Sequence, residues 1–135
     1  MIQRKQTKNK KSLPALLCII TIILTTYIVF SPSLKDGFTN WDDNKYVQDN
    51  PLVVNNFVPV KKIFETPVAL NYHPLTVLTL AWNYQLGGLD PKGYHSWNVW
   101  LHIFNTIFVF IFIFLLTQKN LLMASIVSLF FGIHP

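Results

Sequence analysis

Two long uncharged runs constrain the fold of this chain more than any other feature. Residues 13–30, LPALLCIITIILTTYIVF, contain no charged side chain. As an α-helix, such a run extends roughly 27 Å, close to the thickness of the hydrocarbon core of a bilayer. A second run, WNVWLHIFNTIFVFIFIFLLT, extends roughly 31 Å by the same rise. We therefore predict an all-α membrane protein, with a first transmembrane helix at residues 13–31 and a second at residues 97–117.

The first run also admits a second interpretation, a cleaved signal peptide, because a basic segment precedes it. The run is long for a signal peptide, and no small-residue cleavage pattern follows it. A membrane anchor is therefore the favoured interpretation.

A third apolar run covers residues 121–133 and would extend only about 20 Å as a helix. We predict that residues 121–135 form a third transmembrane helix that continues in a longer protein, so that the chain is an amino-terminal fragment. Ala124, Ser128 and Gly132 are four residues apart, and this small-residue ridge allows another helix to approach closely. The partner is either one of the other two helices or another membrane protein.

The basic residues predict the orientation of the chain. A basic tail, residues 1–12, and the turn at residues 118–120, which contains Lys119, belong on the cytoplasmic side. The loop at residues 32–96 is then extracytoplasmic, and it contains all six acidic residues. Because the net charge of +5 comes largely from the tail, it favours membrane orientation over nucleic-acid binding.

The extracytoplasmic loop is predicted to lie on the membrane surface. Pro74 and the Gly87-Gly88 pair bracket an amphipathic helix at residues 74–86, with Leu75, Leu78, Trp82 and Leu86 on one face. Several tyrosines and tryptophans lie near it, as in helices of the membrane interface. A shorter helix is predicted from Pro59 to Glu65.

Polar residues recur in the first half of the second span, and they place four side chains on one helical face: Asn98, His102, Asn105 and Thr106. Polar groups at membrane depth are costly unless they face protein or water. The stripe therefore either forms hydrogen bonds between helices or lines a functional cavity, and the sequence leaves both open.

The stretch NWDDNKYVQDN gathers three of the six acidic residues soon after the first span. One carboxylate of the adjacent pair Asp42 and Asp43 could act as a base on a hydroxyl while the other binds a cation or orients a partner group. The alternative is a pair of solvated turns, for which such dipeptides are common. The chain has no Gly-rich phosphate loop, no Cys/His metal spacing and no Ser nucleophile elbow.

Three motifs, in order, resemble a known family: WDD at residues 41–43, HPLT at residues 73–76 and GYHxxNxxLHxxN from residue 93. Together with FFGIHP, they resemble the amino-terminal part of bacterial multi-pass membrane proteins with tetratricopeptide repeats. Those proteins are similar to the eukaryotic transmembrane and tetratricopeptide-repeat O-mannosyltransferases, and more distantly to other GT-C glycosyltransferases. The resemblance covers about residues 13–135.

The resemblance implies transfer of a sugar from a polyprenyl-phosphate carrier to an acceptor on the extracytoplasmic side, here of the bacterial inner membrane. Asp42 would be the first catalytic candidate and Asp43 the second, with a divalent cation as a candidate cofactor. Further residues would line or brace the same cavity by their positions in the motifs: His73, Tyr94, His95, Asn98 and His102.

The family has many more spans and a repeat domain, so the resemblance implies a fragment of a larger GT-C-like fold that is inactive alone. Its partners would be membrane lipid, the lipid-linked sugar donor, and either its missing segments or another membrane protein. The alternative function is a small non-enzymatic membrane scaffold or assembly subunit that uses the small-residue ridge.

Overall fold

A computed structural model describes residues 12–55 and 57–135. Within these ranges the chain forms six α-helices and no strand. They are α1 (Ser12–Phe30), α2 (Pro51–Val54), α3 (Val60–Glu65), α4 (Pro74–Gly87), α5 (Pro91–Leu116) and α6 (Leu121–Ile133). A 3-10 helix, Ser31–Lys35, follows α1, and a five-residue π-helix, Asn44–Gln48, precedes α2. The predicted basic tail lies outside the described residues, apart from the backbone of Ser12.

Two of the described segments are long and apolar enough to cross a membrane, Leu13–Lys35 and α5. Only 11% and 22% of their most apolar windows are buried, whereas the core helix of a soluble protein is mostly buried. These exposed apolar helices indicate a membrane protein, and the predicted all-α class is confirmed. With 13 residues, α6 is shorter than a full span, so a third transmembrane helix stays a prediction.

The helix that carries the second span begins earlier than its apolar run. α5 begins at Pro91, six residues before the predicted start of the span at residue 97. Pro91 suits a first helical turn, and the Asp90 carboxylate accepts a hydrogen bond of 3.1 Å from the Lys92 N–H. Hydropathy does not detect these first turns because their residues are polar. The boundary of the span within α5 stays a prediction.

The described chain divides into two compact units. The first, here the span unit, contains α1, the part of α5 from Val99 onward, and α6. Ala124, Ser128 and Gly132 are all buried in it, as the small-residue ridge predicts. A β-carbon at Gly132 would lie 2.5 Å from the Thr26 Oγ1 atom and 2.9 Å from the Thr106 Cγ2 atom. The ridge therefore packs against α1 and α5 of the same chain.

The second unit, here the loop unit, is Ser33–Asn98. The π-helix and helices α2 to α5 each contribute at least one side chain to its buried core. These side chains are Val47, Leu52, Val53, Ile63, Val77, Ala81 and Tyr94. The unit places the acidic motif beside α4, because Val47 of the π-helix and Val77 of α4 share this core.

Helix α4 has apolar side chains on two faces. Val77 and Ala81 are buried in the core of the loop unit. Leu75, Trp82 and Leu86, which belong to the predicted amphipathic face, are exposed. The helix itself matches the prediction for residues 74–86 within one residue, and its location in the membrane interface stays a prediction.

Candidate functional site

The acidic motif lies at a bend that leads directly into the π-helix. The Tyr46 N–H donates to the Asp42 carbonyl oxygen at 2.9 Å, and the Asp49 N–H donates to the Asn44 carbonyl oxygen at 2.8 Å. The first bond joins residues i and i−4, so the Asp42 carbonyl closes the first turn of the segment that contains Tyr46. The second spans five residues, and π-type turns of this kind are frequent at functional sites.

Asp42 and Asp43 line an open cleft of about 490 Å³ in the loop unit. The other lining residues come from the π-helix and from the segment that starts α4: Tyr46, Val47, Asn71, His73, Thr76 and Leu80. Two of the motifs that carry the family resemblance, WDD and HPLT, therefore meet across 30 residues of sequence. The described lining includes two carboxylates but neither lysine nor arginine.

The two aspartates have different surroundings. The Oδ2 atom of Asp43 accepts a hydrogen bond of 2.7 Å from the Thr39 N–H and one of 3.1 Å from the Thr39 hydroxyl. Asp43 therefore closes the bend. The exposed Asp42 carboxylate accepts no hydrogen bond from any described residue and remains available to a ligand in the cleft.

Tyr46 and His73 form an aromatic wall of the cleft, with ring centroids 6.4 Å apart. The Tyr46 hydroxyl oxygen accepts a hydrogen bond of 3.1 Å from the Asn71 Nδ2 atom. Apolar floor residues, Val47 and Leu80, lie beside these polar groups. A mixture of apolar surface and a few placed polar groups is typical of sites that bind small organic ligands.

A strained two-residue turn positions Asn71. Val68 and Asn71 exchange backbone N–H to carbonyl hydrogen bonds of 2.9 Å in both directions. The residues between them, Ala69 and Leu70, have φ values of 50° and 65°. Positive φ at both central positions is the pattern of a type I′ turn, which usually contains Asn and Gly. The turn therefore sets the position of Asn71 in the cleft, and also that of His73, which follows two residues later.

The structure places three other predicted site residues of the loop unit away from the lining of the cleft. Tyr94 is buried in the core, where its hydroxyl donates to the Gly88 carbonyl at 3.0 Å and its ring contacts Phe38 at 5.3 Å. The His95 Nε2 atom is buried without a hydrogen-bond partner among the described residues, and Asn98 is exposed. Tyr94 can brace the cleft only through the core that it shares with Val47.

His102 lies in the span unit, where it connects α5 to α6. Its Nε2 atom is 3.2 Å from the Gly132 carbonyl oxygen. Its ring centroid is 4.9 Å from that of Phe30 and 5.5 Å from that of Phe131. Thr106 is fully buried beside it, and its hydroxyl donates to the His102 carbonyl. For His102 these contacts fit the first interpretation of the polar stripe, hydrogen bonding between helices, whereas Asn98 and Asn105 are exposed.

The described residues contain no group of three or more His, Cys, Asp or Glu side chains that could hold a metal ion. In the cleft, Asp43 already accepts two hydrogen bonds from Thr39 through one oxygen. The donor set of the described residues therefore does not fit a cation held by protein ligands.

Sequence reasoning missed three polar residues of the cleft, Tyr46, Asn71 and Thr76. Tyr46 follows Asp42 at helical spacing, and Thr76 belongs to the HPLT motif, so both carried a signal. No sequence pattern indicated Asn71, because its position in the cleft depends on the turn at Ala69 and Leu70.

Sequence comparison finds relatives among animal O-mannosyl-transferases. The chain is 34% identical over 114 residues to the protein O-mannosyl-transferase TMTC3 of Homo sapiens, a match that covers 76% of this chain. It is 32% identical over 114 residues to the TMTC3 of Mus musculus and 31% identical over 101 residues to that of Drosophila melanogaster. The matches span only 12%, 12% and 11% of those proteins. These similarities support a relationship to the TMTC proteins over the matched region.

Two further comparisons gave no match. No family model matches the chain, and no solved structure is significantly similar to it.

Proposed function

We propose that this chain is the amino-terminal part of a membrane glycosyltransferase of the O-mannosyl-transferase type, with a GT-C-like fold. The observation that carries the proposal is the cleft, in which WDD and HPLT meet and the Asp42 carboxylate is unpaired among the described residues. The similarity to proteins named O-mannosyl-transferase supports the reaction class.

In the proposed reaction, the acceptor is a hydroxyl and the donor is a sugar on a polyprenyl phosphate. The hydroxyl oxygen attacks the anomeric carbon and forms the new glycosidic bond. The bond from that carbon to the phosphate oxygen breaks, and the polyprenyl phosphate leaves with the electron pair. Asp42 takes the proton of the hydroxyl, a general-base role that requires a free carboxylate within hydrogen-bond reach.

Asp43 supports this step indirectly, because its bonds to Thr39 hold the bend that presents Asp42. His73 lines the same cleft beside Tyr46, and its ring nitrogens can donate a hydrogen bond to the substrate or accept one from it. The apolar floor, Val47 and Leu80, gives the carbon-bound face of a sugar or side chain a surface to contact.

The proposed setting is the bacterial inner membrane, with the amino terminus in the cytoplasm and the loop unit outside. The two apolar segments, Leu13–Lys35 and α5, supply the crossings, and the exposed face of α4 contacts lipid at the interface. The chain spans about one-eighth of the length of the TMTC3 proteins it matches. We propose that further membrane segments complete the binding site for the lipid-linked donor and that these residues are inactive alone.

The scaffold alternative stays a prediction. It relied on the small-residue ridge as a docking surface for another membrane protein. Ala124, Ser128 and Gly132 are instead buried against other helices of this chain.

A transfer assay tests the proposal. Membranes containing the full-length gene product would be supplied with a radiolabelled lipid-linked sugar and a hydroxyl acceptor. We expect Asp42→Asn to lower transfer at least about 100-fold, the usual size of a general-base contribution. Asp36→Asn is the matched control, because Asp36 is exposed and does not line the cleft. Native transfer by Asp42→Asn at equal abundance would overturn the proposal.

A further inference from the structure

We propose that Tyr46 binds the acceptor through its hydroxyl proton, which Asn71 keeps available for that purpose. The inference rests on the proposed function and adds a residue to it. Tyr46 and Asp42 line the same cleft, and the Tyr46 N–H donates to the Asp42 carbonyl oxygen at 2.9 Å. A substrate that occupies this cleft can therefore contact both side chains.

The direction of the bond between Asn71 and Tyr46 decides what the tyrosine can do. A tyrosine hydroxyl can donate one hydrogen bond and accept others, whereas an amide nitrogen only donates. Asn71 Nδ2 donates to the Tyr46 oxygen at 3.1 Å. The Tyr46 proton is therefore not used in this contact, and no described residue accepts it.

The orientation of the Asn71 amide follows from a second contact. Its Nδ2 atom also lies 3.4 Å from the Ala69 carbonyl oxygen. Rotating the amide by half a turn would place its oxygen against that carbonyl oxygen, two acceptors facing each other. The turn that carries Ala69 thus fixes which end of the amide faces Tyr46.

The charge of the cleft indicates which substrate the tyrosine contacts. The lining contains Asp42 and Asp43 and neither lysine nor arginine. It therefore has no permanently cationic side chain to hold the phosphate of a lipid-linked donor, whereas a neutral acceptor requires none. The Tyr46 proton therefore meets a neutral oxygen of the acceptor, such as a carbonyl beside the reacting hydroxyl.

Kinetics of the full-length protein in membranes test the assignment. Tyr46→Phe keeps the ring and removes the proton, and we expect the KM for the acceptor to rise about tenfold, as for loss of one hydrogen bond. The KM for the donor and the kcat stay within about twofold of native. Tyr72→Phe is the matched control and leaves all three constants unchanged, because the Tyr72 hydroxyl donates to the Phe64 carbonyl at 2.8 Å outside the cleft.

A second variant reverses the direction of the hydrogen bond between residue 71 and Tyr46 and keeps the tyrosine. In Asn71→Asp the new carboxylate accepts the Tyr46 proton, so we expect the same rise in acceptor KM as in Tyr46→Phe. In the Tyr46→Phe background, Asn71→Asp should raise the acceptor KM no further. A purely structural role for the pair would instead lower the abundance and the kcat of both variants.

Two results would overturn the assignment: an acceptor KM in Tyr46→Phe equal to that of Tyr72→Phe, or a rise in the donor KM alone. The Asp42→Asn assay separates this failure from failure of the proposed function. If Asp42→Asn abolishes transfer while Tyr46→Phe is native, only the role of Tyr46 is wrong. If Asp42→Asn transfers sugar normally, the proposed function fails, and the assignment of Tyr46 fails with it.

Discussion

Asp43 accepts both hydrogen bonds that Thr39 donates to the acidic motif, one from the backbone N–H at 2.7 Å and one from the hydroxyl at 3.1 Å. Its neighbour Asp42 lines the same cleft, and the Asp42 carboxylate accepts no hydrogen bond from the described residues. Adjacent residues on a helical turn point in different directions. The two carboxylates therefore have separable roles, one in the local fold and one in the chemistry.

Removing the Asp43 carboxylate should loosen the bend. Asp43→Ala leaves the Thr39 N–H without its acceptor, and we expect the free energy of local opening at Thr39 to fall by roughly 1 to 2 kcal/mol. Hydrogen exchange of the Thr39 amide in the detergent-solubilised protein measures this change. Asp36→Ala removes an exposed carboxylate from the same loop unit and should leave the exchange of Thr39 unchanged. Equal protection of Thr39 in both variants would exclude the structural role of Asp43.

Residues that favour positive φ should stabilise the turn between Val68 and Asn71. Ala69→Asn combined with Leu70→Gly introduces the residues that favour positive φ, and each L-residue in the left-handed region costs about 1 kcal/mol or more. We expect slower exchange of the Val68 and Asn71 amides, which bond to each other's carbonyls. The control, Leu70→Ala, keeps a β-carbon at positive φ and should give no gain. Faster exchange in the double variant would show that the turn has another conformation.

Two glycine substitutions should have opposite effects. In Gly132→Ala the new β-carbon meets Thr26 and Thr106, so we expect unfolding to require roughly 1 to 3 kcal/mol less free energy. In Gly93→Ala the new methyl group meets no described atom within 4 Å, and replacing a helical glycine stabilises α5 by up to about 1 kcal/mol. Thermal unfolding in detergent compares the two variants. A melting temperature that is unchanged in Gly132→Ala would contradict the packing of α6 against α1 and α5.

The sequence predicted the apolar helices well because an uncharged run of this length satisfies its backbone polar groups as a helix. It did not predict the first six residues of α5, which precede the predicted span, since the capping contact of Asp90 and the polar first turns carry no hydropathy signal. It also identified the ridge of α6. Which helices cover the ridge depends on side chains far apart in sequence, such as Thr26 and Gly132.

The candidate site was predictable in part. The sequence indicated separate roles for Asp42 and Asp43, and the family resemblance grouped both with His73 in one cavity. The pair between Tyr46 and Asn71 was not predictable, because Ala-Leu is an unusual sequence for a turn with positive φ at both positions. Periodicity placed Asn98 and His102 one turn apart on one helix, as they are in α5, but it did not indicate that Asn98 is exposed while His102 contacts α6.

The most direct test of the central claim compares donor binding with sugar transfer in the same membranes, for the native full-length protein and for Asp42→Asn. If Asp42 is the base, Asp42→Asn binds the lipid-linked donor with native affinity and transfers sugar at least about 100-fold more slowly. Transfer at the native rate would contradict the account. So would a variant whose lost transfer is explained entirely by lost donor binding, because Asp42 would then hold the donor rather than activate the acceptor.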